Sequence, residues 1–464
     1  MHINPTLFRE YDIRGRIDHD DELTAAAIEA IGKGFAVFLH RRGIREAIVG
    51  RDARPYSEDV KNITVKALLE SGINVIDIGT VLAPLFYFSQ YFLKKKGGVM
   101  ITASHNPWGW SGFKHAYDYS TTLVPHDLAE LRDIIEKEEF ITGEGRCEDY
   151  PNIFDAYKKD VLARVRIERP MKVLVDTGNG TAGLFVPEML RAAGCEVVEQ
   201  YTEASEKRHH EANPSTLGML NAMADGVKRN LTEIGLGFDD DGDRLGAVDE
   251  KGITIWPDRI LILLARLILA QKPGGRVVFD VKCTEALPED VKAHGGVPIM
   301  WKTGHSYIRE KAKEVDAVLA GERSGHIYVR EGYYEYDDAT FAALKLLEYL
   351  SREQKTISQI IAQFPHYITS PVWHAHCDDD KKYAVVERIV RDLKEEYGAD
   401  KVIDVNGARV SLPDGWFLIR ASSNVPMIVI VFEARTENGL KATESMLRKK
   451  LAAYPEVGSE WVSG

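Results

Sequence analysis

One succession of residues occurs three times in this chain, and it restricts the fold more than anything else in the sequence. IVGRDARPYSEDVKNITVKALLESGINVIDIG is a β-branched run, a polar loop, an amphipathic stretch, a glycine and a second β-branched run. VLVDTGNGTAGLFVPEMLRAAGCEVVEQ repeats that order, and VVFDVKCTEALPEDVKAHGGVPIMW gives it a third time. Each copy predicts strand, helix and strand, with Gly closing the helix where the chain turns back. Strands joined through a helix run parallel, and the crossover is right-handed. Three copies roughly a hundred residues apart predict three similar α/β domains with mixed sheets. Ligands of such folds collect at the loops that follow the carboxyl ends of the strands.

The tail breaks the pattern. VWHAHCDDD predicts a strand, KYAVVERIVRDLKEEYG a helix, and WFLIRASSNVPMIVIVFEA two strands around a polar loop. That is an α+β domain on an antiparallel sheet, and the domains expected are 1–151, 152–254, 255–369 and 370–464. A chain of 464 residues outgrows a single core, in keeping with this division. A formal net charge of −12 with no basic stripe argues against a nucleic-acid partner. The opening MHINPTLFREYDIRG lacks a basic segment followed by an apolar one, and no apolar stretch reaches the ~18 residues of a membrane span. Cys147, Cys195, Cys283 and Cys377 form no CxxC pair and suit a reducing compartment. The expectation is a cytoplasmic protein with neither membrane nor nucleic acid as partner.

GFDDDGDRLGAVDE is the sharpest local signal. Asp239, Asp241 and Asp243 alternate, so an extended loop turns three carboxylates to one side. Hard oxygen ligands in that number suit Mg²⁺. An EF-hand fails, because Arg244 stands at its sixth position in place of glycine and the flanks IGLGF and LGAV predict strands. Glu250-Lys251-Gly252 predicts a hairpin turn. A rival signal lies in the second repeat: Gly178, Gly180 and Gly183 match GxGxxG, with Glu199 further on, as in an NAD-dependent oxidoreductase. Such glycines arise readily in any βα turn, and Pro187 delays the helix that should follow.

Other loops also gather polar residues. ITASHNPWGW ends a buried strand and sets Ser104 on an irregular loop, without the GxSxG elbow of a hydrolase. GERSGH presents Glu322 and Ser324 for adjacent sugar hydroxyls. RASSNVP offers the Arg420 guanidinium with hydroxyl and amide donors, the composition of a phosphate clamp. KTGHSYI carries Lys302 and His305 at a strand-to-helix junction. A metal loop, a hydroxyl-bearing loop, a sugar-like loop and a phosphate clamp together describe phosphoryl transfer on a phosphorylated sugar.

TASHNP, DDDGDR, GERSGH and RASSNVP occur in this order, one per expected domain, and the chain resembles the α-D-phosphohexomutases over nearly its whole length. FREYDIRG, FDVKCT and KTGHS resemble the bacterial phosphomannomutase/phosphoglucomutase branch. The resemblance implies four domains around a central cleft, a monomer or weak homodimer, and interconversion of hexose 1- and 6-phosphates. Ser104 would carry the phosphoryl group, Asp239, Asp241 and Asp243 would hold Mg²⁺ with a phosphoserine oxygen, and Arg244 would neutralise the group in transit. Lys114 and His326 resemble the general acid and base. Glu322 and Ser324 would bind the sugar, and Arg420, Ser422, Ser423 and Asn424 the distal phosphate. Tyr11, Arg14, Lys282 and His305 match further cleft positions. Glucose or mannose 1,6-bisphosphate would be the intermediate and activator.

The chain departs from that pattern in particular places. Asp240 replaces the usual glycine between two ligands and is expected to add charge and tighten metal binding. Trp108-Gly109-Trp110 and Ser111 stand where a Pro-acidic-Tyr-Asn stretch is normal, and Ser423-Asn424-Val425 is a variant order whose valine side chain donates no hydrogen bond. Arg323 puts a cation between Glu and Ser and is expected to bear on the choice of sugar. Phosphoglucosamine mutase and phosphopentomutase are therefore alternatives within the superfamily. A non-catalytic sugar-phosphate binding protein would lack Ser104 or the carboxylates, and both are present.

Overall fold

The computed structural model describes residues 3–423 and 425–463. These form two compact units, one of residues up to 256 with 324–357, the other of 257–323 with 358 onward.

The first unit contains two of the predicted repeats. Its larger sheet runs in the order Ile13–Arg16, Trp110–Tyr117, Gly97–Ile101, Glu46–Arg51, Asn74–Thr80, Cys147–Asp149. Glu46–Arg51 lies parallel to both Asn74–Thr80 and Gly97–Ile101, as the crossover through helix Ser57–Glu70 requires. Trp110–Tyr117 then turns back antiparallel on Gly97–Ile101, which makes the sheet mixed as expected. Gly97–Ile101 is buried along its whole length, so it reads as an uninterrupted apolar run. Its end delivers the Ser104 loop, and Met100 lies opposite Lys114 across the ladder.

In the second repeat, Lys172–Asp176 is parallel to Glu196–Gln200 and to Ile234–Phe238. Leu245–Asp249 pairs antiparallel with Ile234–Phe238, so the acidic loop is a tight connection between neighbouring strands. Gly242 makes that turn possible with φ +72°, where an added Cβ would meet Leu82 Cδ1 at 2.9 Å. Glu250–Gly252 is the expected turn into Thr254–Ile255. Asp338 caps helix Ala339–Arg352 by accepting from Phe341 N at 2.8 Å.

The second unit holds the third repeat and the tail. Val297–Trp301 and Leu319–Gly321 flank Arg276–Asp280, all parallel. The tail sheet is antiparallel, with Gly415–Ala421 and Met427–Ala434 at its centre and Trp373–His376 beyond. Helices Lys382–Tyr397 and Glu437–Leu451 bury Ile389, Leu393 and Leu447 in a core with Phe417, Ile419 and Ile430. Buried Glu433 ties the two sheets, accepting from Trp416 Nε1 at 2.7 Å, Thr284 Oγ1 at 3.1 Å and Glu285 N at 3.0 Å. Arg409 adds bonds to the Val281 and Cys283 carbonyls while its guanidinium stacks on Trp416 at 3.5 Å. Cys147, Cys195, Cys283 and Cys377 are free thiols. Among the described residues, no helix is long and apolar enough to cross a membrane.

Candidate active site

Ser104 adopts φ +49°, the left-handed region that a residue with a Cβ seldom enters. Several bonds hold it there. Its N–H donates to Thr102 Oγ1 at 2.9 Å, and Arg54 Nη2 donates to its carbonyl at 2.7 Å. The twist directs Ser104 Oγ to Asp239 Oδ2 at 2.8 Å and brings His105 Nδ1 within 3.2 Å of the same oxygen. Adjacent side chains in sequence meet here because of the backbone turn. Burial, and then chiefly the charges of Arg244 and Arg14, push His105 well below the usual imidazole value, so its ring is neutral.

Asp239, Asp241 and Asp243 turn to one side of their loop, with ligand oxygens within 4.8 Å of one another. Asp239 Oδ1 accepts from the Asp243 and Arg244 amides at 3.1 and 3.0 Å. Lys114 Nζ enters the cluster, bonded to Asp241 Oδ2 at 2.7 Å and to Asp243 Oδ2. Burial, then the neighbouring carboxylates of Asp243 and Asp241, raises the Asp239 carboxyl well above the ordinary range. Burial works against the Lys114 ammonium, but Asp241 and Asp243 outweigh it and hold Lys114 well above the usual lysine value. Asp241 Oδ1 and Asp243 Oδ1 are buried with no hydrogen-bond partner. Unmatched inward oxygens on three crowded carboxylates fit a divalent cation.

Arg244 Nε lies 3.0 Å from His326 Nε2, and His326 Nδ1 lies 2.7 Å from Asp337 Oδ2. A guanidinium only donates, so Nε2 carries the lone pair and Nδ1–H donates to Asp337. Arg14 makes a paired contact with Asp12 at 2.7–2.8 Å and reaches the Ser104 loop at Asn106 Oδ1, 2.7 Å away. Tyr11 contributes to the field at Arg14. Ser324, in the same unit, offers its carbonyl to Ser215 Oγ at 2.9 Å. The first unit thus gathers Ser104, Arg14, Lys114, Asp239, Asp241, Asp243, Arg244 and His326.

Asp240 does not turn into the cluster of Asp239, Asp241 and Asp243, which corrects the expectation that its charge simply adds to theirs. The alternation that turns its neighbours inward turns it outward, to Arg54 Nη2 at 3.1 Å and to Arg208. Its Oδ1 also accepts from Thr181 N at 2.8 Å and Thr181 Oγ1 at 2.9 Å. The glycine-rich turn is therefore filled by protein. A Cβ on Gly180 would lie 2.6 Å from the Asp240 Cα, and Ala182 N donates to the Asp240 carbonyl. No donors remain there for a dinucleotide pyrophosphate, which removes the oxidoreductase alternative.

The remaining candidates lie in the second unit, where the three parallel strands end side by side. Asp280 is their hub, accepting from Thr303 Oγ1 at 2.8 Å and Arg323 N at 3.1 Å, with Lys282 Nζ at 3.3 Å. Glu322 Oε1 accepts from Gly304 N at 2.6 Å, next to buried His305. Arg420 Nη2 donates to Ser423 Oγ at 3.1 Å, and Ser422 N bonds the Met427 carbonyl across the turn. Asn424 lies outside the described residues. Burial, then Lys282 and Arg420 together, lowers His374, so these two cations face one histidine. Arg323 corrects a second expectation. Its guanidinium is buried against Asp258 at 3.0 Å, a structural ion pair.

Arg54, Arg208, Asp280, Asp337 and His374 escaped the sequence reading. Arg54 and Asp280 had a usable signal, since Asp280 ends strand Arg276–Asp280 and Arg54 lies in the loop just past Glu46–Arg51, both at the carboxyl ends of parallel strands. Asp337 sits in an acidic pair before a helix, which reads as a cap.

A serine on a constrained loop between two strands, facing a carboxylate cluster within an α/β scaffold, places the chain among phosphoryl-transfer enzymes. The family described as phosphoglucomutase/phosphomannomutase matches in four parts: alpha/beta/alpha domain I over residues 5–142, domain II over 154–252, domain III over 256–367 and the C-terminal domain over 375–450. Phosphomannomutase/phosphoglucomutase of Pseudomonas aeruginosa is 37% identical over 97% of this chain and 96% of its own. Phosphoglucomutase of Neisseria gonorrhoeae is 34% identical over 98% of both. The crystal structure of a phosphoglucomutase/phosphomannomutase family protein from Burkholderia thailandensis matches with TM-score 0.90 and 32% identity, over 98% of this chain and 99% of that one. The chain belongs to the phosphoglucomutase/phosphomannomutase family of α-D-phosphohexomutases, whose members are isomerases.

Proposed function

We propose that this enzyme interconverts the 1- and 6-phosphates of glucose and mannose through a phosphorylated Ser104 and a hexose 1,6-bisphosphate. The observation that carries the reading is Ser104 Oγ bonded to Asp239 among three converging carboxylates. Ser104 gives its phosphoryl group to a hexose phosphate, the bisphosphate turns end for end, and the other phosphate returns to Ser104. Asp239, Asp241 and Asp243 would hold a divalent metal, Mg²⁺ by the hardness of its ligands. When bound, that ion supplies charge neutralisation for the group in transit.

The chain's own residues supply the rest. Arg244 and Arg14 bring positive charge to the side of Ser104. Lys114 and His326 stand beside the carboxylates, Lys114 on Asp241 and Asp243 and His326 on Arg244, where the general acid and base are expected. Lys282, His305, Glu322, Ser324, Arg420, Ser422, Ser423 and Asn424, with Tyr11, would bind the sugar and its distal phosphate. The two poses of the bisphosphate share the 3- and 4-hydroxyls, which suit Glu322 and Ser324, while the 2-hydroxyl changes surroundings and is read weakly. The Arg323–Asp258 pair takes the Arg323 cation out of the case for an amino sugar or a pentose.

Steady-state kcat/KM for glucose, mannose, glucosamine and ribose 1-phosphates tests this. Glucose and mannose should lie within about tenfold of each other, the spread expected when a site does not bond the differing hydroxyl. A lead for the glucosamine or ribose compound overturns the substrate reading.

A further inference from the structure

We propose that Asp240 is a positioning residue that holds the Ser104 loop in its working conformation through Arg54, an inference that rests on the mutase reading above. Ser104 sits in a left-handed conformation that persists only where its surroundings over-determine it. Arg54 supplies much of that constraint. Its guanidinium is almost fully buried and donates to the carbonyls of Ser104 and Asn106 at 2.7 Å, Pro107 at 2.8 Å and Trp110 at 3.2 Å. A cation wrapped in carbonyl oxygens needs a fixed counter-charge to keep its orientation. Asp52 offers one at 3.4 Å from Nε, and Asp240 offers the other at 3.1 Å from Nη2.

Asp240 is itself braced. Arg208 pairs with it from the far side, and Thr181 donates to it through N and Oγ1. Thr181 Oγ1 in turn accepts from Ala53 N at 2.9 Å, beside Arg54 in the chain. The carboxylate between two metal ligands therefore locks the nucleophile loop to the acidic loop from behind. Ser104 Oγ is kept facing Asp239 while Asp240 stays out of the cluster. The resemblance leads one to expect glycine at this position, and a glycine would offer Arg54 no carboxylate.

The test combines kinetics with hydrogen exchange read by mass spectrometry on the full-length enzyme. Asp240→Asn removes the charge and keeps the shape. It should lower kcat by about ten- to a hundredfold with KM changed less than about threefold, since it touches no substrate. Amide exchange over residues 102–110 should quicken by about tenfold or more as the loop loosens. Asp240→Asn added to Arg54→Lys should do little beyond Arg54→Lys alone, because both act through one contact. Arg208→Gln, nearer the surface, should shift both readouts the same way to a smaller extent, and it carries the test if Asp240→Asn does not fold. Unchanged exchange and kcat in the folded variants, or fully additive effects with Arg54→Lys, overturn the proposal. A wild-type enzyme inactive on every hexose phosphate overturns the proposed function alone, and the exchange comparison still decides the lock.

Discussion

Arg244 Nε and His326 Nε2 are 3.0 Å apart, a contact that fixes the tautomer of the imidazole. Asp337 completes it at Nδ1, 2.7 Å away. The pair of contacts sets the His326 ring plane from both ends. Asp337→Ala frees the ring while leaving the substrate-binding residues intact. It should lower kcat by about ten- to a hundredfold, on the scale of general acid–base contributions, with little change in KM. Steady-state kinetics with glucose 1-phosphate checks this, and an unaltered kcat would refute a role for the aspartate.

Arg323 and Asp258 make a different kind of prediction. Both are buried and their contact is 3.0 Å. Arg323→Met leaves the Asp258 charge alone, and breaking a buried pair in this way costs about 3–5 kcal/mol. Thermal unfolding should register that loss, while the glucose-to-mannose ratio of kcat/KM stays within about twofold, since no hydroxyl contact is removed. A changed ratio with unchanged stability would mean that the guanidinium does read the sugar.

What could be read from the residues and what could not divides along one physical line. Each βαβ repeat is a local pattern, and so is the alternation of Asp239, Asp241 and Asp243; both appear in the folded chain as written. The same alternation, followed one step further, would have sent Asp240 away from the metal ligands, but its destination was invisible. Arg54 meets Asp240 across 186 positions of chain, and no local spacing encodes that. Arg323 misled for a related reason: it neighbours Glu322 in sequence, yet its guanidinium turns into the protein to meet Asp258, 65 positions away. Asp337 was hidden by a plausible cap, and the neighbouring Asp338 is the residue that caps.

Asp338 predicts a pH dependence of stability. Burial raises its carboxyl to about 6, against the opposing bonds from Phe341 N, Tyr333 Oη and Tyr157 Oη. The folded protein therefore holds this proton more tightly than the unfolded chain, whose carboxyl titrates near 3.9. The contribution is fully present below the unfolded value and is lost as pH rises through about 6. A shift of this size corresponds to about 3 kcal/mol. Asp338→Asn cannot titrate. Relative to that variant, the wild type should lose stability between about pH 4 and pH 7, measured by thermal melts in matched buffers. A constant difference across that range would contradict the assignment.

The last prediction concerns the carboxylate cluster. Asp241 Oδ1 and Asp243 Oδ1 face inward without a hydrogen-bond partner, a costly state for charged oxygens. Lys114 offsets part of the negative charge, but one ammonium cannot balance three carboxylates, and Arg244 stands 3.9 Å from Asp239. The expected outcome is that a divalent cation completes the balance. A strong chelator should abolish turnover, and Mg²⁺ should restore it. Asp241→Asn removes one charged ligand, and should cost several kcal/mol of transition-state stabilisation, roughly a hundredfold or more in kcat. Direct calorimetric titration should show weaker Mg²⁺ binding in the same variant, independently of turnover. Asp240→Asn, whose carboxylate faces Arg54 and Arg208, should bind Mg²⁺ within about threefold of the wild type, because it removes no ligand. Equal losses of metal affinity in the two variants would place both aspartates on the metal and undo the division of labour between neighbours.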